Sequence, residues 1–372
     1  MKKYLFILLL LLFIPFYLFL GSQVGAQQTS EESLEGKIVQ VLDEKQIISS
    51  DEADTHLYQK LKILVTKGSM INDEIIVENG NVSSSNNPKY KVGDKVIVYH
   101  SKDLDGNDTF YIADFIRRTP LLLLFLIFVI ISVIIARWRG ALSLLGMGIS
   151  FLIIFFLILP RILGGADPVE TAIFGSFLII PVTFFLSHGF NKKTGVAIAG
   201  TLVALIITGI LAGFFVEATK LSGFASEEAG FLQAAKGSIV NIKGLLLAGI
   251  IIGVLGVLDD ITISQSAIVF QLKQANEKIK SGELYKRAMD IGRDHIASMV
   301  NTLILVYTGA ALPLLLLFVD NPHPFTEIIN YEIIADEIVR TLVGSIGLVL
   351  AVPITTFVAV MVVYESKNKS GK

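Results

Sequence analysis

The chain has 372 residues, no cysteine, and 31 Lys and Arg against 33 Asp and Glu, for a net charge of −2. Only 17% of its residues are charged and its mean hydropathy is +0.67, whereas a soluble domain carries about 25% charged residues. The apolar residues are clumped into long runs, which excludes a disordered chain, a coiled coil and an ordinary cytosolic enzyme. The missing cysteine excludes disulfides, thiolate metal sites, c-type haem, catalytic thiols and a lipid-modified N-terminal cysteine. A charge so near zero gives no ground for a nucleic-acid partner.

Lys2 and Lys3 precede an apolar run from Tyr4 to Leu20, and Val24-Gly25-Ala26 fits a small-x-Ala cleavage site. Residues 1–26 therefore read as a signal peptide, with an uncleaved anchor helix as the alternative because the run exceeds the usual length of about 7–15 residues. Both readings place the next segment outside the cell. Gln27–Ile116 has ordinary polarity and reads as a small, all-β, exported domain. Its short runs rich in Ile and Val predict strands at Lys37–Val41, Leu61–Val65, Glu74–Val77, Lys95–Tyr99 and Thr109–Phe115. Asp105-Gly106-Asn107 predicts a hairpin turn. The Gly-Asp turn within Tyr90–Val96 is similar to those of OB- or SH3-like barrels, which five strands suit.

Three motifs in this domain carry no function. Asp51-Glu52-Ala53-Asp54 spells a helicase box without a phosphate-binding loop. Asp103-x-Asp105-x-Asn107 has Asp108 where a calcium loop requires glycine. The domain also lacks the basic stripe with interleaved aromatics of a nucleic-acid binder.

Residues 117–366 read as a polytopic α-helical membrane domain. Seven runs can each cover a hydrocarbon core of about 30 Å: Pro120–Ala136, Gly140–Leu159, Glu170–Ser187, Gly195–Val216, Gly244–Val269, Ile296–Val319 and Ile338–Tyr364. Putative inside segments hold fifteen Lys and Arg against seven in outside segments near the spans. That bias predicts a multi-pass protein of the cell membrane, with its N-terminal domain outside and its basic tail, residues 367–372, in the cytoplasm. The sole tryptophan, Trp138, stands between Arg137 and Arg139, as expected for an aromatic ring at the inner interface.

Ionisable residues within spans are costly and are therefore the default functional candidates. Asp259 and Asp260 form the sharpest pair. Helical spacing puts Gly249, Gly253, Gly256, Asp260 and Ser264 on one stripe, and the glycines predict a close helix-packing face. On this reading Asp260 faces protein and Asp259 points about 100° round the helix. The competing reading has both aspartates solvated at the inner interface or paired with Arg293. A second cluster, Arg293, Asp294, His295, Asn301 and Thr302, enters the following span from the same side. The two clusters predict a buried inner-leaflet site for an ion or small solute. A metal held by Asp259, Asp260, Asp294 and His295 is an alternative that no ligand spacing demands. His188 and His323 read as structural. Hydrolase and protease signatures are absent from the spans, so no enzymatic activity and no cofactor are expected.

Two blocks resemble the YibE/F-like family of multi-spanning bacterial membrane proteins. The first is Gly244-Leu-Leu-Leu-Ala-Gly249 with Ile252-Gly253-Val-Leu-Gly256-Val-Leu-Asp259. The second is Ile291-Gly292-Arg293-Asp294 with Met299-Val-Asn301-Thr302-Leu303-Ile-Leu-Val-Tyr307-Thr-Gly309. The resemblance implies an exported β domain followed by a polytopic membrane domain, and it implies no reaction. It also implies that Asp259 occupies the family's acidic position, with Asp260 a departure from the pattern. The resulting expectation is a transporter or permease in the lipid bilayer for an ion or small solute. A non-enzymatic assembly or signalling protein whose β domain binds an envelope partner is the second expectation, and an intramembrane metalloenzyme the third.

Overall fold

Alternating Ile and Val residues build the N-terminal β region of the described chain. The computed structural model describes residues 32–48, 55–80, 88–103, 106–319 and 323–370. The predicted signal segment and the Asp51–Asp54 motif lie outside these residues. The chain divides into two units, with the boundary between Ile131 and Ser132.

The first unit holds one antiparallel sheet of β1 (Glu32–Ile48), β2 (Thr55–Lys67), β3 (Glu74–Asn79), β4 (Lys95–Lys102) and β5 (Asp108–Phe115), in the order β3-β2-β1-β4-β5. β1 pairs along its length with β2, and its Glu32–Lys37 half also pairs with β4. Register shifts at Glu35/Gly36, Ile38/Gln40 and Val41/Asp43 bend the strand, as bulges do. Leu34, Ile38, Leu61, Ile63, Val65, Val96 and Val98 fill the core. Gln59 is fully buried, and its amide clamps the chain at Tyr90: Nε2 donates to Tyr90 O at 2.9 Å and Oε1 accepts from Tyr90 N at 2.8 Å. Gly93, at φ 100°, makes the turn that feeds β4, and its N–H donates to Ile38 O at 2.9 Å. All five predicted strands are present. β1 and β2 outrun the prediction: Asp43–Gln46 of β1 pair while exposed, and the paired stretch of β2 buries Tyr58 beside the polar Gln59, so neither carries hydrophobic alternation. Asp103 closes the β4–β5 turn by accepting from Asn107 N at 2.8 Å.

Glu35 anchors the sheet's charge pattern. It accepts from Arg118 Nη1 at 2.8 Å, pairs also with Arg118 Nη2, and meets Lys67 Nζ at 3.3 Å. The Arg118 guanidinium and then Lys67 hold its carboxyl below the usual value of 4.5, against the opposing effect of burial.

The remaining elements are α1 (Arg118–Leu163), α2 (Pro168–His188), α3 (Lys192–Ala218), α4 (Glu227–Lys236), α5 (Ile242–Ala275), α6 (Ser281–Ala310), α7 (Leu312–Val319), α8 (Phe325–Ile328) and α9 (Glu332–Ser370). Side-chain caps start several of them: Asp167 accepts from Glu170 N, Asn191 from Thr194 N and Asn241 from Gly244 N, each at 2.9 Å. Among the described residues five helices, α1, α2, α3, α5 and α9, are long and apolar enough to cross a membrane. The pair α6 and α7, bent by 72°, passes the same criterion only when its two parts are taken together, as a broken span or a re-entrant loop. The first two predicted spans are one helical stretch interrupted at Arg137 (φ 53°, ψ −132°) and at a π-helical turn, Ile154–Ile158, just before Pro160. The sixth predicted span is broken at Ala311, two residues before Pro313, which has no N–H to offer the carbonyl of Gly309.

Helices α3, α5 and α9 pack against one another, with α2 on α5 and α6 on α9. Between the antiparallel helices α3 and α9 the backbones nearly touch: Gly200 faces Thr355 and, eight residues along, Gly347 faces Thr208. A Cβ at either glycine would collide with the facing threonine hydroxyl. Gly344 similarly faces Val254 of α5. The close approach that the sequence assigns to Gly249, Gly253 and Gly256 thus belongs to Gly200, Gly344 and Gly347. A Cβ at Gly249 or Gly256 would meet nothing within 4 Å, and one at Gly253 only Tyr307 Oη at 3.7 Å.

Two outcomes follow from this packing. Gly347→Leu is expected to destabilise the helical unit by about 1–3 kcal/mol through overpacking, read as a lower Tm in detergent, while Gly249→Ala loses nothing. For the sheet, a carboxyl with a depressed pKa contributes stability that is complete above its ordinary value of 4.5 and is lost as pH falls through its lower folded value. Protection factors for amide exchange of β1 in the whole protein, corrected for the intrinsic pH dependence of exchange, should therefore fall below about pH 4.5 in the wild type. In Glu35→Gln that pH dependence should flatten; an unchanged profile would refute the assignment.

Candidate functional site

α5 distributes its polar residues over different faces, and that separates their roles. Thr262 is fully buried and shares a 2.7 Å hydrogen bond with Thr201 of α3. Gln265 donates through Nε2 to Ala288 O at 3.0 Å and to Thr356 Oγ1 of α9 at 2.7 Å. Ser266 donates to Lys193 O at 2.8 Å. These groups tie helices together, as buried polar groups in apolar surroundings must.

Asp259 lies elsewhere. Ile252, Leu255, Gly256 and Asp259 stand at helical steps of three and four, and so share one face. They form one wall of a cleft of about 280 Å³. Ser143, Met147, Ser150, Phe151 and Ile154 of α1 supply the second wall, and Ile179, Ile180, Thr183, Phe184 and Ser187 of α2 the third. Asp259 is half-buried, and among the described residues its carboxylate has no hydrogen-bonding or ion-pair partner in the protein. The cleft is lined by one carboxylate and four hydroxyls, with no Lys, Arg or His. Two of the hydroxyls already direct their hydrogens at their own helices: Ser150 donates to Gly146 O at 3.0 Å, and Thr183 to Ile179 O and Ile180 O at 3.0 and 3.1 Å. Their oxygens therefore act as acceptors toward the cleft.

Asp260 is exposed. It stands within electrostatic reach of His188, as do Lys193 and Arg139, and His188 also sets its ring edge-on to Phe184 at 6.5 Å. The stripe argument, which turned Asp260 toward protein, is corrected: the glycine face is open, and Asp259 is the more enclosed of the two. Gly256 is a wall of the cleft rather than a helix contact.

The second predicted cluster does not join the first. Arg293 pairs with Asp290 at 2.7 Å on its own helix, and Arg293, Asp294 and Asn301 are all exposed. Gly292 explains this. It is buried against Val352 of α9 and Gln265 of α5, with no room for a Cβ. The next two residues, about 100° and 200° round the helix, are thereby turned outward. Among the described residues no group of three or more His, Cys, Asp or Glu is placed to hold a metal ion, so the quartet Asp259, Asp260, Asp294 and His295 does not assemble.

The sequence reading missed Ser143, Ser150, Thr183 and Ser187. Their signal was present: Ser143 and Ser150 are seven residues apart with Met147 between them, and Thr183 and Ser187 are four apart. Each pair makes a polar stripe on an otherwise apolar helix.

The absence of native cysteine makes access to this cleft directly measurable. Single substitutions Ser143→Cys, Ser150→Cys and Gly256→Cys are expected to react with a small, charged methanethiosulfonate reagent. Ser176→Cys and Thr201→Cys, at fully buried positions, are expected to stay unlabelled. Equal protection of all five would mean that the cleft is closed to water.

A family model described as YibE/F-like protein matches residues 124–365. No curated protein and no solved structure matches the chain. The match begins beyond the last strand of the sheet and takes in every residue that lines the cleft. Because it spans more than half of the sequence, the chain belongs to the YibE/F-like family.

Proposed function

We propose that the protein is a non-enzymatic membrane transporter or permease that binds an ion or small solute at the Asp259 cleft. The observation that carries this reading is the unpartnered Asp259 carboxylate, set among hydroxyls between three membrane-type helices. An ionised group in apolar surroundings is costly and is retained where it contacts a permeating species or a proton. The faces of α5 that pack on α3 and α9 are locked by glycine contacts and hydrogen bonds, whereas the α1–α2 side is open. A carrier needs such a division between fixed scaffold and accessible site.

The wider architecture in this proposal has seven spans. α1, at 46 residues, extends about 69 Å at about 1.5 Å per residue, more than twice the hydrocarbon thickness of about 30 Å. The break at Arg137 therefore supports two crossings, with Trp138 at the interface between them. With seven spans, the Lys and Arg bias sets the N-terminal domain outside and the C-terminus in the cytoplasm, after a signal peptide or anchor at residues 1–26. The order β3-β2-β1-β4-β5, with contacts between β3 and β5, supports an OB-like barrel for the exported domain.

The assembly reading draws on a different observation. Asn301 and Thr302 are exposed within the apolar part of α6, where lipid offers an amide no hydrogen bond. A partner recovered with the protein at fixed ratio in mild detergent, with no flux, favours that reading.

Flux through proteoliposomes tests the transport reading, scanning radiolabelled ions and small solutes. Asp259→Asn should lower the flux by at least about tenfold, equivalent to about 1.4 kcal/mol, and Asp260→Asn should leave it within about twofold. Unchanged flux in Asp259→Asn removes the site from the proposal.

A further inference from the structure

We infer, building on the reading of the Asp259 cleft as a binding site, that its ligand is a monovalent cation. Charge decides the sign. The cleft contains a single carboxylate and no basic side chain, so an anion would face an uncompensated negative group in a poorly polarisable setting. The hydroxyls agree. Because Ser150 and Thr183 spend their hydrogens on backbone carbonyls, they present lone pairs to the cleft, which suit a cation and cannot donate to an anion.

Charge also decides the valence. One carboxylate neutralises one positive charge. A divalent ion would remain net positive here, and hard divalent ions are ordinarily held by several carboxylate or carbonyl oxygens. The second aspartate supplies no oxygen to this site, since Asp260 is exposed and does not line the cleft. Size sets the remaining limit. A volume of about 280 Å³ far exceeds one bare ion, since a single water occupies about 30 Å³. The cleft thus accommodates an alkali ion with part of its hydration shell, or a small organic ammonium ion. Ile252, Leu255, Phe151 and Phe184 line its apolar remainder.

Direct binding to the full-length protein in detergent separates these ligands, using 22Na+, 86Rb+, [14C]methylammonium and 45Ca2+ as probes. Saturable binding of at least one monovalent probe is expected, undiminished by equimolar Ca2+. Asp259→Asn should weaken it by at least about tenfold, and Thr183→Val and Ser150→Ala by several-fold. Gly256→Leu, which places a side chain in open space within the cleft, should abolish binding while keeping the wild-type Tm and elution volume. Asp260→Asn should bind as the wild type does. Binding of 45Ca2+ in preference to every monovalent probe, or no saturable monovalent binding by the wild type, overturns the inference. So does undiminished binding by a folded Asp259→Asn protein. The transport reading fails separately: a monovalent ion that binds through Asp259 but never crosses proteoliposomes refutes transport and leaves the cation site standing. Flux of a neutral or anionic solute that depends on Asp259 does the reverse.

Discussion

The helical unit depends on how closely α3 and α9 approach. Gly200 opposite Thr355 and Gly347 opposite Thr208 bring two backbones together with only a threonine side chain between them. Lipid removes the hydrophobic drive for helices to associate, so close packing and interhelical hydrogen bonds must supply the adhesion. The two facing threonines differ: the Thr208 hydroxyl bonds within its own helix, whereas Thr355 Oγ1 is buried and among the described residues has no hydrogen-bond partner. Thr208 donates to Ala204 O at 2.7 Å, and the neighbouring Thr201 to Ala197 O at 2.9 Å. With α3 and α9 fixed, α5 is held through Thr262, Gln265 and the Gly344–Val254 contact. Only then does its opposite side, with Asp259, become a wall rather than a seam.

That arrangement gives two adjacent carboxylates unlike surroundings. Consecutive helical residues differ by about 100°, enough to put Asp259 in the cleft and Asp260 outside it. One group is half-buried and the other is exposed to the surroundings. Adjacent carboxylates in one cavity would repel and compete for a single cation or proton. Their separation leaves the cleft with one charge.

The sequence made the strands and the helical segments legible, because each has a short-range signature. Alternation in Leu61–Val65 marks a strand, and long apolar runs mark the helices. It did not reveal which glycines pack. Gly249, Gly253 and Gly256 show regular spacing and face open space, whereas Gly200 and Gly347 look isolated and make the tightest contacts. A glycine's role depends on what another helix brings opposite it, and spacing within one helix is silent about that. The same limit explains the misplaced second cluster. Arg293, Asp294 and Asn301 share an end of the chain with Asp259, but the burial of Gly292 against Val352 and Gln265 turns Arg293 and Asp294 outward. Conversely, Ser143 and Thr183 became part of a site only when α1 and α2 were placed beside α5.

Gly256 shows how such a reversal bears on function. On the packing interpretation its missing side chain admits a helix; in the structure it leaves part of the cleft empty. Helix propensity favours Ala over Gly by about 1 kcal/mol in an interior position, so glycine here is not the choice of local stability. It lines the same cleft as Asp259, one turn away, and a Cβ there would meet nothing within 4 Å. The volume beside Asp259 is therefore set by an absence of atoms on α5 and by the hydroxyl stripes of α1 and α2. On the proposed cation-binding reading, selectivity would reside on those two helices as much as on the aspartate, because a single carboxylate fixes the sign of a ligand and the walls around it determine size and hydration.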